Sequence, residues 1–122
     1  MRQEGVKAME RNNALSRPVV VVLPAEIDMT NAEHVAAQLR CAFVPGVKLV
    51  VADLTKTSFC DSAGIRALTL VHQRAAESGG RLDLAVAADG PVGRVLELMD
   101  LTGALNVYPS VEACAAAASS GG

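Results

Sequence analysis

"VKLVVADLTKTSFCDSAGIRAL", residues 47–68, begins as a strand and ends as a helix. Residues 47–54 are apolar at nearly every position, the pattern of a strand covered on both faces. "TKTSFC" follows as a loop or strand end. A helix is predicted from about Ser62 to Ser78, stopped by Gly79-Gly80. At its foot stand Asp61 and Ser62, two capping residues where one suffices, and then Gly64, which costs a helix about 1 kcal/mol relative to Ala. Glycine there implies that something approaches the backbone closely, either a neighbouring element or a partner.

The same alternation extends in both directions. "PVVVVL", 18–23, predicts a buried strand ended by Pro24. Thr30 with Glu33 has the spacing of a capping box. Behind it Ala32, Val35, Ala36, Leu39, Ala42 and Phe43 form an apolar stripe at helical spacing, closed by Pro45-Gly46. "RLDLAVA", 81–87, alternates and predicts a one-sided strand or one nearer an edge. Asp89-Gly90-Pro91 opens a helix whose Val92, Val95, Leu96 and Met99 face inward. "NVY", 106–108, is a short strand, and Pro109-Ser110 caps a last helix, "VEACAAAA". Residues 1–17 form a separate N-terminal segment, with "GVKAMER" expected as an edge strand turned by Asn12-Asn13. The domain proper is expected over 18–118, with a disordered tail at 119–122. This is an α/β domain with a mixed, mostly parallel sheet of 4–5 strands and about four helices.

Composition narrows the function. The chain has 122 residues, enough for one domain with one modest core. Aromatics are 2% and the net charge is −2, so neither base stacking nor sequence-independent phosphate binding is expected. Charge is uneven, because Arg2, Lys7, Arg11 and Arg17 face only Glu4 and Glu10 in the first 17 residues. Cys41, Cys60 and Cys114 are odd in number and lack metal-ligand spacing, so disulfides and a metal site are not expected. Cys60 sits beside an aromatic residue in an apolar strand, which favours an inert thiol over a redox sensor. No apolar run spans a bilayer and no signal peptide is evident, which points to a cytoplasmic protein. No cofactor is implied.

In a parallel sheet the loops after the strands gather on one rim, where ligands and partners bind. Loop 24–30 carries Glu26 and Asp28; loop 55–61 carries Lys56, Ser58 and Asp61. Asp28 and Ser62 are therefore expected to be neighbours. The bland reading of Asp61 and Ser62 is a helix cap. The functional one is phosphorylation of Ser62: a phosphoryl group suits a helix N-terminus, yet adds about −1.5 to −2 charge to an acidic rim and would expel a docked kinase. Hydrolase chemistry wants a G-x-S-x-G elbow and a His partner, whereas the stretch here is F-C-D-S-A, with His34 and His72 inside helices. A phosphoaspartate receiver built on Asp53 would need a Lys late in the chain, and none follows Lys56.

Four segments carry a family likeness: "AEID" at 25–28, "DLTKTSFCDSAGIRAL" at 53–68, "SGGRLDLA" at 78–85 and "VLELMDLTGALNVYPSVEAC" at 95–114. Over residues 18 to 118 the chain resembles the anti-sigma factor antagonists built on a STAS domain. The resemblance implies a non-catalytic partner switch in transcription and stress response, phosphorylated at Ser62, with Asp28 in the binding rim. It implies an anti-sigma factor with serine kinase activity as partner and a PP2C-like phosphatase that reverses the mark. The expected partner-binding residues are Glu26, Asp28, Ser58, Asp61, Ala63 and Gly64. Two departures stand out: Ala63 replaces the family's usual second Ser or Thr, leaving Ser62 the only hydroxyl on the motif, and Ala25 replaces the glycine of "GEID". The alternative is an unphosphorylated STAS scaffold attached to a transporter or a stress-sensing assembly.

Overall fold

The run around residue 50 becomes the strand on which the sheet is built. A computed structural model describes residues 18–121. Its elements are, in order, β1 (Val19–Val22), β2 (Glu26–Ile27), α1 (Ala32–Ala42), β3 (Leu49–Asp53), β4 (Phe59–Cys60), α2 (Ser62–Glu77), β5 (Arg81–Ala85), α3 (Pro91–Leu98), β6 (Asn106–Tyr108) and α4 (Val111–Gly121). β1, β3, β5 and β6 lie side by side in that order, all parallel. β2 and β4 form a second, two-stranded parallel sheet. The α/β class and the mostly parallel sheet are those predicted. The expected edge strand in residues 1–17 lies outside the described residues.

The two faces of the sheet are covered unequally. One face buries Val50 and Ala52 of β3 with Leu82 and Leu84 of β5 against Val35 and Leu39 of α1, Ile65 and Leu68 of α2, and Val92 and Leu96 of α3. Each fully buried Val, Leu or Ile among them contributes about 1.5–3 kcal/mol. On the other face a smaller cluster joins Val51, Ala85 and Cys114, flanked by Tyr108 and Val111. Here α4 packs on β3, β5 and β6.

That inequality corrects the expectation for β1. It is the edge strand among the described residues, and Val20 (41% exposed) and Val22 (63%) are not buried. Val20 pairs with Val51, so it points to the α4 side, where α4 packs on the other three strands. Only Val21 packs against the main core. The opposite correction applies to β5. Its alternation suggested a margin, yet it lies between β3 and β6, and Asp83 is 2% exposed. The carboxylate survives burial because Arg81 Nε donates to it at 2.6 Å, while Arg81 Nη2 donates to the Tyr108 hydroxyl at 3.0 Å.

Three boundaries also differ. The N-cap of α1 is Asn31, without a side-chain cap, and no Thr30–Glu33 box forms because the Thr30 hydroxyl donates to Asp28 instead. Met99 lies past the end of α3 and is exposed, since the helix stops at Leu98. α4 runs to Gly121, past the start of the tail expected at 119.

The two apolar runs should respond differently to one hydroxyl. Val50→Thr places it in the core, where an unsatisfied donor costs about 1–3 kcal/mol. Val22→Thr on the exposed edge should change stability by less than about 0.5 kcal/mol. Urea unfolding of both variants measures the contrast.

Candidate functional site: the rim at Ser62

The β2–β4 pair brings two distant loops together. Glu26 is in register with Phe59, and Ile27 with Cys60. Ala25 O accepts from Ser58 N at 2.8 Å, and Ile27 O accepts from Asp61 N at 3.1 Å. Side chains reinforce the pairing: Thr57 Oγ1 donates to Pro24 O at 2.9 Å and Ser58 Oγ to Ala25 O at 3.2 Å. Asp28 therefore leaves β2 beside the point where Asp61 leaves β4. Asp28, Asp61 and Ser62 thus follow the same end of the β2–β4 pair. Glu26, Ser58 and Ser62 are exposed there, with Asp28, Asp61 and Ala63 half-buried.

The doubled cap at the start of α2 resolves into two roles. Asp61 is the N-cap, extended at φ −88° and ψ −174°, and its carboxylate accepts from Gly64 N at 3.0 Å. Ser62 is the first helical residue, exposed, and its hydroxyl makes no hydrogen bond among the described residues. Asp61 meets the capping requirement and leaves the Ser62 oxygen available to solvent.

Gly64 has a local cause. A Cβ there would lie 2.6 Å from Cys60 Sγ and 2.8 Å from Ile27 Cγ2. The neighbour that needs the glycine is the β2–β4 pair itself, and Gly64 is buried. Of the two causes the sequence left open, a neighbouring element is the one seen: the glycine lets α2 start hard against the strands that hold the rim. Burial, with the Asp61 charge as a lesser cause, pushes the Cys60 thiol up to about 11. Such a thiol is protonated at neutral pH and a poor nucleophile.

Asp28 is held by its own turn. Its carboxylate accepts from Thr30 Oγ1 and from Thr30 N, the latter at 2.9 Å, and these bonds hold the carboxyl below its ordinary range. Asn31 closes the turn: its Oδ1 accepts from Asp28 N and its Nδ2 donates to Glu26 O, both at 2.9 Å. Asp53 and Thr55 repeat the device after β3, with Thr55 N at 3.0 Å and Thr55 Oγ1 at 2.6 Å from the carboxylate. Asn31 and Thr57 had no role in the sequence reading and Thr30 had a different one, although the repeated D-x-T at 28–30 and 53–55 was a usable signal for both Asp–Thr turns. Two exposed apolar residues were also missed. Met29 and Phe59 flank the rim with 77% and 50% of their surfaces accessible. Among the described residues no group of three His, Cys, Asp or Glu side chains could hold a metal, and no helix is long and apolar enough to cross a membrane.

Residues 7–114 match the STAS domain. The chain is 30% identical over 102 residues to BtrV of Bordetella bronchiseptica, named for a role as an anti-sigma factor antagonist, covering 81% of this chain and 84% of that one. Its fold is similar to that of a sulfate transporter family protein from Wolinella succinogenes, with TM-score 0.67, 14% identity and 84% of each chain covered. It is also similar to the anti-sigma factor antagonist SpoIIAA in its unphosphorylated form, with TM-score 0.58, 21% identity, and coverage of 87% of this chain and 92% of that one.

Asp61→Ala should destabilise the domain by about 0.5–2 kcal/mol through loss of the cap. Ser62→Ala should cost less than about 0.5 kcal/mol, since no bond is lost. Thermal melts of the two variants separate the roles. Alkylation of the native protein at pH 8 should label exposed Cys41 and spare buried Cys60 and Cys114, both with thiols raised to about 11. Mass spectrometry of the digested protein reads the sites.

Proposed function

Given that the chain belongs to the STAS domain family, we propose that it is an anti-sigma factor antagonist switched by phosphorylation of Ser62. The observation that carries this reading is the exposed, unbonded Ser62 hydroxyl at the foot of α2. Exposed Met29 and Phe59 beside it supply apolar contact area for a partner. Unmodified protein binds an anti-sigma factor that is also a serine kinase and thereby frees a sigma factor for transcription, all in the cytoplasm. The protein itself catalyses nothing.

Charge drives the release. The kinase aims a carboxylate at the serine hydroxyl and takes its proton. Ser62 Oγ attacks the γ-phosphorus of ATP, the bond to ADP breaks, and the rim gains about −1.5 to −2 charge. That charge lies with Asp61 and Asp28 on one rim, opposite the kinase carboxylate. Within the free protein the phosphate is tolerated, because the first turn of α2 presents backbone N–H groups and the positive end of its dipole. Toward the partner it is repulsive. A PP2C-like phosphatase restores the hydroxyl by hydrolysis.

A second reading, an unphosphorylated scaffold attached to a transporter, draws on the fold shared with the Wolinella succinogenes transporter family protein. Incubation with the anti-sigma kinase and ATP distinguishes the two. One phosphoryl group on the wild type and none on Ser62→Ala supports the switch, whereas an unmodified wild type favours the scaffold. Ser62→Ala should bind the kinase lastingly. Ser62→Asp should bind roughly tenfold or more weakly, a difference of ~1.4 kcal/mol. Equal affinities in calorimetry would sink the charge argument.

A further inference from the structure

The face made by α1 and α2 carries a groove that the Ser62 rim leaves unused. Two adjoining cavities form it, of about 550 and 370 Å³, sharing Arg40, Val71 and Arg74. The larger opens at Ala63, next to Ser62; the smaller continues to Lys48 and Gly80 at the opposite end of α2. α2 has 16 residues, so the groove runs alongside roughly 24 Å of helix.

Its charge runs against that of the rest of the domain. Residues 18–122 hold seven Lys and Arg against eleven Asp and Glu. Four of those seven cations, Arg40, Lys48, Arg66 and Arg74, line this groove, with Glu33 the one carboxylate among its lining residues. Among the described residues the only ion pair is Arg81–Asp83, so none of the four is in an ion pair with a described residue. The floor is apolar and low, formed by Ala32, Ala36, Ala63 and Ala67, with exposed Leu70 and Met29 as larger anchors. Small residues on two adjacent helices let a third helix approach closely, and unpaired guanidinium groups along the margins select carboxylates.

We propose that the α1–α2 groove binds an acidic amphipathic helix of the anti-sigma factor, laid along α2, as a second anchor beside the Ser62 rim. The partner's identity rests on the function proposed above; the groove's preference for an acidic helix does not. Its apolar stripe sits on the alanine floor and its carboxylates meet Arg40, Arg66 and Arg74. The groove is also linked to the switch. Arg66 follows Ser62 by four residues, which places the two on one helix face. A phosphate on Ser62 draws Arg66 to itself and removes one cation from the groove mouth. Phosphorylation thus weakens both anchors at once.

The test compares the wild type, Arg66→Glu/Arg74→Glu, Ser62→Asp and the control Arg94→Glu, an exposed cation on α3 outside the groove. Affinities are read for the anti-sigma kinase, and unfolding midpoints confirm that each variant is folded. The groove pair should bind at least about tenfold more weakly and with a shallower salt dependence, while Arg94→Glu binds as the wild type. Wild-type affinity for the groove pair, with Ser62→Asp weakened, overturns the groove and leaves the switch. The converse pattern leaves the groove and overturns the switch.

A second arm needs no kinase. A synthetic helical peptide of Glu and Leu, about 20 residues long, is titrated into ¹⁵N-labelled protein. Shifts at Ala36, Ala67 and Leu70 that vanish in the groove pair support the proposal. No shift, or shifts elsewhere only, overturns it. So does sedimentation showing that the groove is covered by the acidic surface of a second copy.

Discussion

A two-residue parallel pairing, β2 against β4, is the constraint on which the rim depends. Glu26–Ile27 and Phe59–Cys60 are far apart in the chain, and their backbone bonds lock the loops after β1 and β3 into one surface. So short a sheet has little stability of its own. It is supported from beneath, because Ile27 and Cys60 belong to the main core and Gly64 leaves them room. The first turn of α2 is thus pinned to the same pair that carries the acidic loop. The position of Ser62 relative to Asp28 is set by packing as much as by hydrogen bonds.

Asp61 turns that position into a usable site. A helix start needs an acceptor for its free N–H groups, and a serine there would ordinarily provide it. Here the preceding carboxylate does so, and the hydroxyl that follows has no structural duty. The cap and the exposed hydroxyl are thereby adjacent residues rather than one. The turns at Asp28–Thr30 and Asp53–Thr55 serve a similar end, tying carboxylates near the strand ends to their own backbone and keeping the loops in one conformation.

The helical face adds a feature that local pattern does not show. Arg40 belongs to α1, Arg66 and Arg74 to α2, and Lys48 to the connection between α1 and β3. Along the chain each is an ordinary solvated cation. Only the packing of α1 against α2 puts them around one alanine-floored groove, whose lining holds a single carboxylate, Glu33.

Much of the architecture was legible because it follows from local physics. Strand–helix alternation, the stop at Gly79-Gly80, the proline at the start of α3 and the Ser110 cap of α4 all depend on residues close in sequence. The pairing of Asp61 with Ser62 was visible too, as an excess of capping residues. What local pattern leaves open is which neighbour occupies a given space. Val20 and Val22 look like core but lie on the edge strand, at the margin of the face that α4 packs against. Asp83 looks like a surface residue but is buried, because Arg81 and the α4 layer enclose it. Gly64 suggested a close approach by a neighbouring element or a partner, and the structure supplies the neighbours, Cys60 and Ile27. Residue type and spacing alone determined which segments become strands and helices, since those choices depend on backbone propensity and hydrophobic period. The tertiary structure decided which faces are covered and which side chains meet, since both depend on layers contributed by residues remote in the chain.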